Sequence, residues 1–225
     1  MGRLVVLLLI NNASRLSPAE QRFAEWIQWS PAQPGVALLN IHVPNRGHTH
    51  QIDALLWTPQ QCVVVEVKGF RTRQDGVLRI PPNGPWRMAD GRVADIYGND
   101  HGHNPMDQVF ANTMAAKNQL SASTGRRRYV HGLVLVMLLP GQDVPSLDYG
   151  DLPRDTTIVV EDFDVFRYYL DTFSDDPVQW SSDQVAEAID NLGLEHLYDS
   201  RYQLAAALGE ASTYQARVDV GDAPF

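Results

Sequence analysis

The sequence predicts an α/β fold in which one helix precedes three strands and a second helix follows them. A capping signature at Ser17 opens an amphipathic run. Two apolar runs in residues 51–70 surround a Thr-Pro-Gln-Gln turn, which predicts a β-hairpin. Residues 129–138, YVHGLVLVML, form a nearly continuous apolar run, typical of a strand buried on both faces. The predicted order is α-β-β-β-(turns)-α-β-β-α-α-α.

The length and composition of the chain indicate a soluble globular protein. It has 225 residues, enough for one substantial domain or for one domain with a small appendage. Cys62 is the only cysteine, so no disulfide can form within the chain, and we expect a reducing, cytoplasmic location. The opening run MGRLVVLLLI is too short to span a bilayer, so we expect a buried segment and no membrane association.

Charge is unevenly distributed along the chain. The net charge of −9 argues at first against a polyanionic partner, but residues 1–140 carry 14 Lys and Arg against 9 Asp and Glu. Residues 141–225 carry 4 Lys and Arg against 18 Asp and Glu. The motifs described below lie in the basic part, so the overall sign does not exclude nucleic acid. We expect the acidic part to face away from such a substrate.

The first helix is predicted to begin at Ser17, in SPAEQRFAEWIQW. Ser17 at the cap, proline at the first helical position and Glu20 three residues after the cap form a capping-box signature. On these residues alone, capping is the role that we favour for Glu20. The apolar stripe of the helix consists of Phe23, Trp26 and Ile27. A strand over residues 36–43 is predicted to follow.

The central hairpin is predicted to bring two carboxylates together. If residues 58–61 form its loop, Trp57 faces Cys62, and the same register places Asp53 opposite Glu66. Cross-strand neighbours have Cβ atoms roughly 4.5–5.5 Å apart, and like charges at that distance repel each other. Two carboxylates held in this way need a cation, a proton or solvent.

Lys68 lies on the same strand face as Glu66, one residue pair further along. A carboxylate pair beside an ammonium group is what metal-assisted phosphodiester hydrolysis requires. Carboxylate oxygens hold Mg²⁺ or Mn²⁺, and the cation polarises phosphate and activates water. The alternative is a half-exposed hairpin whose charged residues face water. Against that alternative, Glu66 lies within VVVEV, where an unpaired buried carboxylate would be costly.

Beyond the hairpin, a turn-rich region leads to a second helix and two further strands. The helix is predicted from about Pro105 to Ala122, with Gln108 on its first turn. The strands are predicted at residues 129–138 and 156–160. Three helical segments are predicted near residues 161–171, 181–192 and 200–208.

Five arginines are candidates for contact with a nucleic-acid backbone: Arg71, Arg73, Arg126, Arg127 and Arg128. The first two come directly after the strand that carries Lys68, and the other three precede the apolar strand. Guanidinium groups suit phosphate because their planar fork donates two parallel hydrogen bonds. For both groups the alternative is a set of solvated loop arginines without a ligand.

Four motifs together resemble the nuclease-related (NERD) domain, which is placed within the PD-(D/E)xK nuclease superfamily. They are a helix bearing Glu20, QIDALLW with Asp53, VVVEVKG with Glu66 and Lys68, and NPMDQ at the start of a helix. The combination is more specific than any one of them, since an ExK motif alone carries no weight.

The resemblance implies a fold and a division of the chain. The fold is α/β with a mixed central sheet flanked by helices, a restriction-endonuclease-like αβββαβ core with a C-terminal helical extension. The resemblance covers residues 17–140 and continues more weakly to about residue 195. We expect a nuclease-like core over residues 1–160 and an acidic helical extension over residues 161–225, packed on the core or following it.

The resemblance also implies roles for residues of the hairpin. Asp53 and Glu66 match the metal-ligand positions, with the backbone carbonyl of Val67 as a third ligand and Mg²⁺ or Mn²⁺ as the cofactor. Lys68 matches the lysine that positions the attacking water and stabilises the charge that develops on phosphate.

Two helix residues complete the set implied by the resemblance. Glu20 matches the acidic residue supplied by the first helix, and Gln108 is similar to the polar helix residue that supports the site in related nucleases. The chain departs from the family pattern at two positions. Phe70 stands where the family often has Trp, and Ala19 precedes Glu20 where Gly is common. Neither side chain belongs to the implied chemistry.

The sequence supports three functional hypotheses. The first is a Mg²⁺- or Mn²⁺-dependent nuclease of the NERD type, with DNA expected as substrate rather than RNA. The second is a nucleic-acid-binding module without catalysis, which uses the five arginines. The third is a regulatory module, fused to or associated with another protein such as a kinase or a helicase. Strand preference and oligomeric state are left open.

Overall fold

The structure is a computed structural model that describes residues 6–29, 34–97, 104–150 and 157–221. Two short 3-10 turns lie at Ala13–Arg15 and Glu195–Leu197. The strands and helices are β1 (Leu7–Ile10), α1 (Pro18–Trp29), β2 (Val36–Asn45), β3 (His48–Trp57), β4 (Cys62–Gly69), β5 (Val77–Arg79), β6 (Arg87–Met88), α2 (Pro105–Ser123), β7 (His131–Met137), β8 (Ser146–Asp148), β9 (Thr157–Val160), α3 (Phe163–Asp171), α4 (Ser182–Asp190), α5 (Arg201–Ala207) and α6 (Ala211–Gly221).

The central sheet is mixed and has its strands in the order β1-β2-β3-β4-β7-β9. β2, β3 and β4 are antiparallel neighbours. β1 runs parallel to β2, and β7 runs parallel to both β4 and β9. A smaller sheet has the order β6-β5-β8. The mixed central sheet with its flanking helices confirms the predicted fold class.

Helices cover both faces of the central sheet. On one face, Phe23 of α1 and Phe166 of α3 share an apolar cluster with Val65 of β4. On the other face, Ala115 of α2 and Val64 of β4 share a second cluster with residues of α4 and α5. Successive β4 residues point to opposite faces, so this strand contributes to both clusters and is buried along its whole length.

The C-terminal helices pack on the sheet. Val185 of α4 and Leu204 of α5 belong to the apolar cluster that contains Trp57 of β3. Trp180, just before α4, meets the Trp57 ring edge to face, with the ring centroids 6.2 Å apart. The helical extension therefore shares a core with the sheet, and a domain division at residue 160 stays a prediction.

The predicted elements agree with the structure except at three places, one of which is the short strand β8, where no strand was predicted. Residues 58–61 join β3 to β4 with Trp57 paired to Cys62, which confirms the predicted register. The opening apolar run was expected to be buried; its residues 1–5 lie outside the described residues, and residues 7–10 form β1 at the edge of the sheet, where Leu9 alone is buried. The helix α6 had no predicted counterpart. Among the described residues, no helix combines the length and apolar character needed to cross a bilayer.

Candidate active site

The two carboxylates of the central hairpin lie where the β3–β4 ladder ends. Backbone pairing extends from Trp57 and Cys62 to Ala54 and Val65. One residue further, Oδ2 of Asp53 accepts a hydrogen bond of 2.8 Å from the backbone nitrogen of Val67. The Asp53 carboxylate therefore accepts the hydrogen bond that a backbone carbonyl would accept in a regular β-ladder. This bond holds the carboxylate beside Glu66.

A distortion of β2 lies opposite Asp53. Asn40 is the β2 residue opposite Asp53, between the pairs Leu39–Ala54 and Ile41–Ile52. Its backbone φ is 53°, in the left-handed region. Its Nδ2 donates to the Asn12 carbonyl at 3.1 Å, and its own carbonyl accepts from Nδ2 of Asn11 at 3.1 Å. Leu39, which precedes Asn40, belongs to the apolar cluster on the α1 face of the sheet, and Ile41, which follows it, belongs to the cluster on the α2 face. Their partners Ala54 and Ile52 on β3 divide in the same way, so both strands change face at the site without a shift of register.

Glu66 is fully buried, and each of its carboxylate oxygens has a donor. Nζ of Lys68 lies 2.6 Å from Oε1, and Nδ2 of Asn112 lies 3.0 Å from Oε2. Burial raises the pKa of Glu66, while Lys68 and Asn112 oppose that rise. The Glu66 side chain is therefore held from two elements: by Lys68, two residues further along β4, and by Asn112 of the facing helix α2.

Lys68 is held between its strand and α2. Its ammonium group donates to Oε1 of Gln108 at 2.9 Å, in addition to its contact with Glu66. Only about 5% of the residue is exposed. Because an ammonium group has three donors, these two contacts leave one donor without a partner among the described residues.

Asn112 is a site residue that the sequence analysis missed. It lies four residues after Gln108 on α2, so the two amides share one face of the helix. Its Nδ2 also donates to the Gln51 carbonyl at 3.0 Å, which ties α2 to β3. The available signal was the spacing of Gln108 and Asn112, two polar residues on a helix face that is otherwise mainly apolar.

Glu20 has two roles in the structure. Its backbone nitrogen donates to Oγ of Ser17 at 3.3 Å, and its carboxylate accepts from the Ser17 backbone nitrogen, so the predicted capping box is present. The side chain is also buried, and its charge contributes to the raised pKa of Asp53. Glu20 therefore lies at the edge of the carboxylate pair as well as at the helix cap.

The close approach of α1 to β4 depends on Gly69. A Cβ atom at this position would lie 2.9 Å from Cβ of Ala19, closer than carbon atoms pack. The glycine therefore allows the first turn of α1, with Glu20, to lie against the end of the strand that carries Glu66.

The electrostatics of the carboxylate pair favour a bound cation. Burial raises the pKa of Asp53 well above its usual range, and the charges of Glu66 and Glu20 raise it further. Burial raises the pKa of Glu66 as well, so two carboxyl groups whose charged forms are disfavoured lie side by side. A divalent cation would offset the repulsion between the two charges.

The donor set fits Mg²⁺ or Mn²⁺ bound by few protein ligands. In the described part of the chain, no three His, Cys, Asp or Glu side chains lie close enough together to hold a metal. Two carboxylates are nevertheless sufficient for Mg²⁺, which usually keeps several waters and takes substrate phosphate oxygens as further ligands. The third ligand predicted at the Val67 carbonyl stays a prediction.

Comparison with protein-family models decides the family. The model of the nuclease-related domain, NERD, matches residues 15–137, more than half of the chain. The chain belongs to the NERD family. The resemblance drawn from QIDALLW and VVVEVKG is thereby confirmed, and the matched range ends with the last residue of β7. No curated protein and no solved structure matches the chain.

The five arginines of the NERD domain occupy three different environments. Arg71 pairs with Asp95 at 2.9 Å, and Arg73 pairs with Asp75 at 3.1 Å. Arg126 and Arg127 are exposed in the loop after α2. Arg128 is buried against Trp180. The structure therefore does not bring the five together into one surface, and their contact with nucleic acid stays a prediction.

Proposed function

We propose that this NERD domain is a Mg²⁺- or Mn²⁺-dependent nuclease that hydrolyses phosphodiester bonds, with DNA as its substrate. The observation that carries the proposal is the arrangement around Glu66, whose two oxygens meet Lys68 and Asn112 while Asp53 lies beside it. A fully buried glutamate with a half-buried aspartate beside it and an ammonium group in contact is costly to maintain as a purely structural feature. It is the donor set that cation-assisted phosphate chemistry uses.

Asp53 and Glu66 would hold the cation. A bound divalent cation supplies charge that polarises a phosphate oxygen and lowers the pKa of water. Asp53 is positioned for this role by the Val67 backbone, and Glu66 by Lys68 and Asn112. Each carboxylate oxygen has two lone pairs, so these contacts leave acceptor capacity for the cation.

Lys68 would position the attacking water and stabilise the charge on phosphate. Its ammonium group is aimed by Glu66 and Gln108, and its third donor is available for a water or a phosphate oxygen. A donor that is fixed before the substrate arrives costs no reorganisation during the reaction. Gln108 and Asn112 act as positioning residues, since they touch Lys68 and Glu66 and not the reacting atoms.

The charge distribution supports a polyanionic substrate at this site. The strands and helices of the site lie within residues 1–140, which carry a surplus of Lys and Arg, whereas residues 141–225 are strongly acidic. A surplus of positive charge in the part of the sequence that contains the hairpin favours a phosphate backbone, and we propose that the acidic part faces away from it. The free, buried thiol of Cys62 fits a reducing compartment, and we propose a cytoplasmic location.

The test is a cleavage assay with matched lysine variants. Duplex DNA, single-stranded DNA and RNA are incubated with the 225-residue chain in Mg²⁺, in Mn²⁺ and in chelator. Lys68→Met is expected to reduce cleavage by at least about 100-fold, because the group that positions water is lost. Lys117→Met, at the other lysine of the chain, should leave cleavage unchanged. Equal cleavage by both variants, or cleavage in chelator, would overturn the proposal.

A second candidate function is nucleic-acid binding without catalysis, which the exposure of Arg126 and Arg127 favours. It predicts affinity that falls steeply with salt and does not change on chelation. Arg126→Ala with Arg127→Ala should weaken such binding, whereas Lys68→Met should not. A fused or associated protein module is also proposed as a partner, and co-purification of the chain with a kinase or a helicase would support it.

A further inference from the structure

A cavity lies at the other end of β4 from the carboxylate pair. It has a volume of about 360 Å³ and is bordered by Gln61 just before β4, by Arg128 before β7 and by His131, the first residue of β7. Glu66 lies five residues after Gln61, so the backbone positions are roughly 16 Å apart along an extended strand. The cavity is therefore separate from the candidate active site.

Arg128 is fixed at the wall of this cavity. The residue is about 5% exposed, and its guanidinium carbon lies 4.3 Å from the centre of the Trp180 ring. Its Nε donates to Oγ1 of Thr124 at 2.8 Å, and its Nη1 donates to the Gln179 carbonyl at 2.6 Å. Nη2 is buried and has no partner among the described residues.

The charge of Arg128 has no ion pair. No salt bridge of the described residues includes this side chain, Arg126 adds a nearby charge of the same sign, and Glu187 adds an opposite charge that does not contact it. Burial lowers the pKa of Arg128, but a guanidinium group stays protonated in proteins. A buried charge is costly unless it is paired, and this one lacks an ion pair among the described residues, so the wall of the cavity carries a positive charge that an anion could pair with.

Gln61 adds a buried hydrogen-bond acceptor that has no partner among the described residues. It is buried, and its backbone is held by Thr58, with a 3.0 Å bond from the Thr58 nitrogen to its carbonyl. Its Nε2 donates weakly to the Leu170 carbonyl at 3.4 Å, and its Oε1 has no partner among the described residues. The cavity is thus lined by one residue with an unused donor and one with an unused acceptor.

We propose that this cavity binds a small molecule that carries an oxyanion group, carboxylate or phosphate, on Arg128 and a hydrogen-bond donor on Gln61. Guanidinium groups bind both oxyanions through charge-assisted hydrogen bonds. The cavity volume falls within the range of small-molecule sites, roughly 300–1,000 Å³. The aromatic rings of Tyr129 and His131 border the cavity and provide apolar surface for the rest of the ligand.

The test measures binding of two simple anions by calorimetry. Inorganic phosphate and acetate are titrated into the 225-residue chain at constant ionic strength. Saturable binding of either ion supports the site, and the ion that binds more tightly identifies the group. Adenosine 5′-monophosphate and adenosine are compared next, and tighter binding of the phosphorylated form supports a phosphate ligand larger than the free ion.

Matched variants make the test specific. Gln61→Glu places a carboxylate in the cavity with Arg128, and it is expected to weaken anion binding by at least about tenfold, or about 1.4 kcal/mol. Gln28→Glu makes the same change of charge at an exposed position of α1, on the opposite face of the central sheet. This variant should bind the anions as the wild type does. Arg128→Lys keeps the charge but loses the planar fork, and it should also weaken binding.

Three results would overturn the proposal. The first is the absence of saturable binding of both anions to the folded wild type. The second is equal affinity in wild type and in Gln61→Glu. The third is binding of a 5′-phosphorylated oligonucleotide without binding of free phosphate or of the mononucleotide, since the site would then hold a strand end. None of these outcomes depends on nuclease activity.

Discussion

The amide nitrogen of Asn112 lies 3.0 Å from Oε2 of Glu66, on the opposite side of the carboxylate from Lys68. Glu66 is fully buried, so its rotamer is set by these two donors and not by solvent. One donor comes from the strand β4 and the other from the helix α2. The orientation of the proposed metal ligand therefore depends on the docking of α2 against the sheet.

The contact predicts the effect of Asn112→Ala. Removing the amide leaves Oε2 of Glu66 without its donor, and substitutions of groups that orient metal ligands cost roughly 10–100-fold in metal affinity or activity. Affinity for Mn²⁺, measured by calorimetry, should fall within that range. Asn118→Ala is the control, because Asn118 lies on the exposed side of the same helix and contacts Asn45. Wild-type affinity in Asn112→Ala would show that α2 does not orient Glu66.

Gln108→Ala should separate catalysis from metal binding. Gln108 contacts the ammonium group of Lys68 and neither carboxylate, so its loss should lower kcat by about tenfold while Mn²⁺ affinity stays near the wild-type value. Gln119→Ala, on the same helix away from Lys68, is the matched control. A parallel fall in kcat and in Mn²⁺ affinity would contradict the assignment of Gln108 to Lys68 alone.

Gly69→Ala should disturb the position of α1. The added Cβ would lie 2.9 Å from Cβ of Ala19, and overpacking of this kind costs about 1–3 kcal/mol of unfolding free energy. The double variant Gly69→Ala with Ala19→Gly removes the clash and should recover stability, less about 1 kcal/mol for glycine in a helix. Urea unfolding of the two single variants and the double variant measures the coupling. Additive effects would show that these residues do not touch.

The stability of the protein should fall in mild acid because of His131. Burial lowers the pKa of His131, although Asp176 opposes the shift. A base whose pKa is lower in the folded state than in the unfolded state stabilises the fold above its unfolded pKa. That contribution is lost as the pH falls below about 6.5.

His131→Phe should reduce this pH dependence. The ring of His131 packs between Tyr129 and Phe173, with centroids 4.7 Å and 4.5 Å away, and phenylalanine can keep both contacts. Urea unfolding between about pH 7 and pH 5 should therefore show a smaller loss of stability in the variant than in the wild type. An unchanged slope would mean that other groups cause the acid sensitivity.

Sequence reasoning located the carboxylate pair because strand periodicity is rigid. Once the loop at residues 58–61 fixed the pairing of Trp57 with Cys62, every other pair followed, including the approach of Asp53 to Glu66. The helices α1 and α2 were also predictable, since each begins with a local capping signal. Local chemistry determines these features.

Features that depend on distant parts of the chain were not predictable. Arg128 belongs to an arginine triplet in a loop, and its burial results from the backbone bonds of Gln179 and Trp180 to the Pro59 carbonyl. The α6 helix lacks an apolar stripe that would mark it in the sequence. Asn112 was missed because its partner, Glu66, lies 46 residues earlier in the chain.

The central claim is that Asp53 and Glu66 form a divalent-metal site, and calorimetric titration with Mn²⁺ tests it most directly. The wild type should bind saturably, and Glu66→Gln, which keeps the shape of the side chain but removes its charge, should show no binding while staying folded. Glu25→Gln, at an exposed position of α1, should bind as the wild type does. Equal binding by wild type and Glu66→Gln, or no binding by a folded wild type with substrate analogue present, would contradict the account.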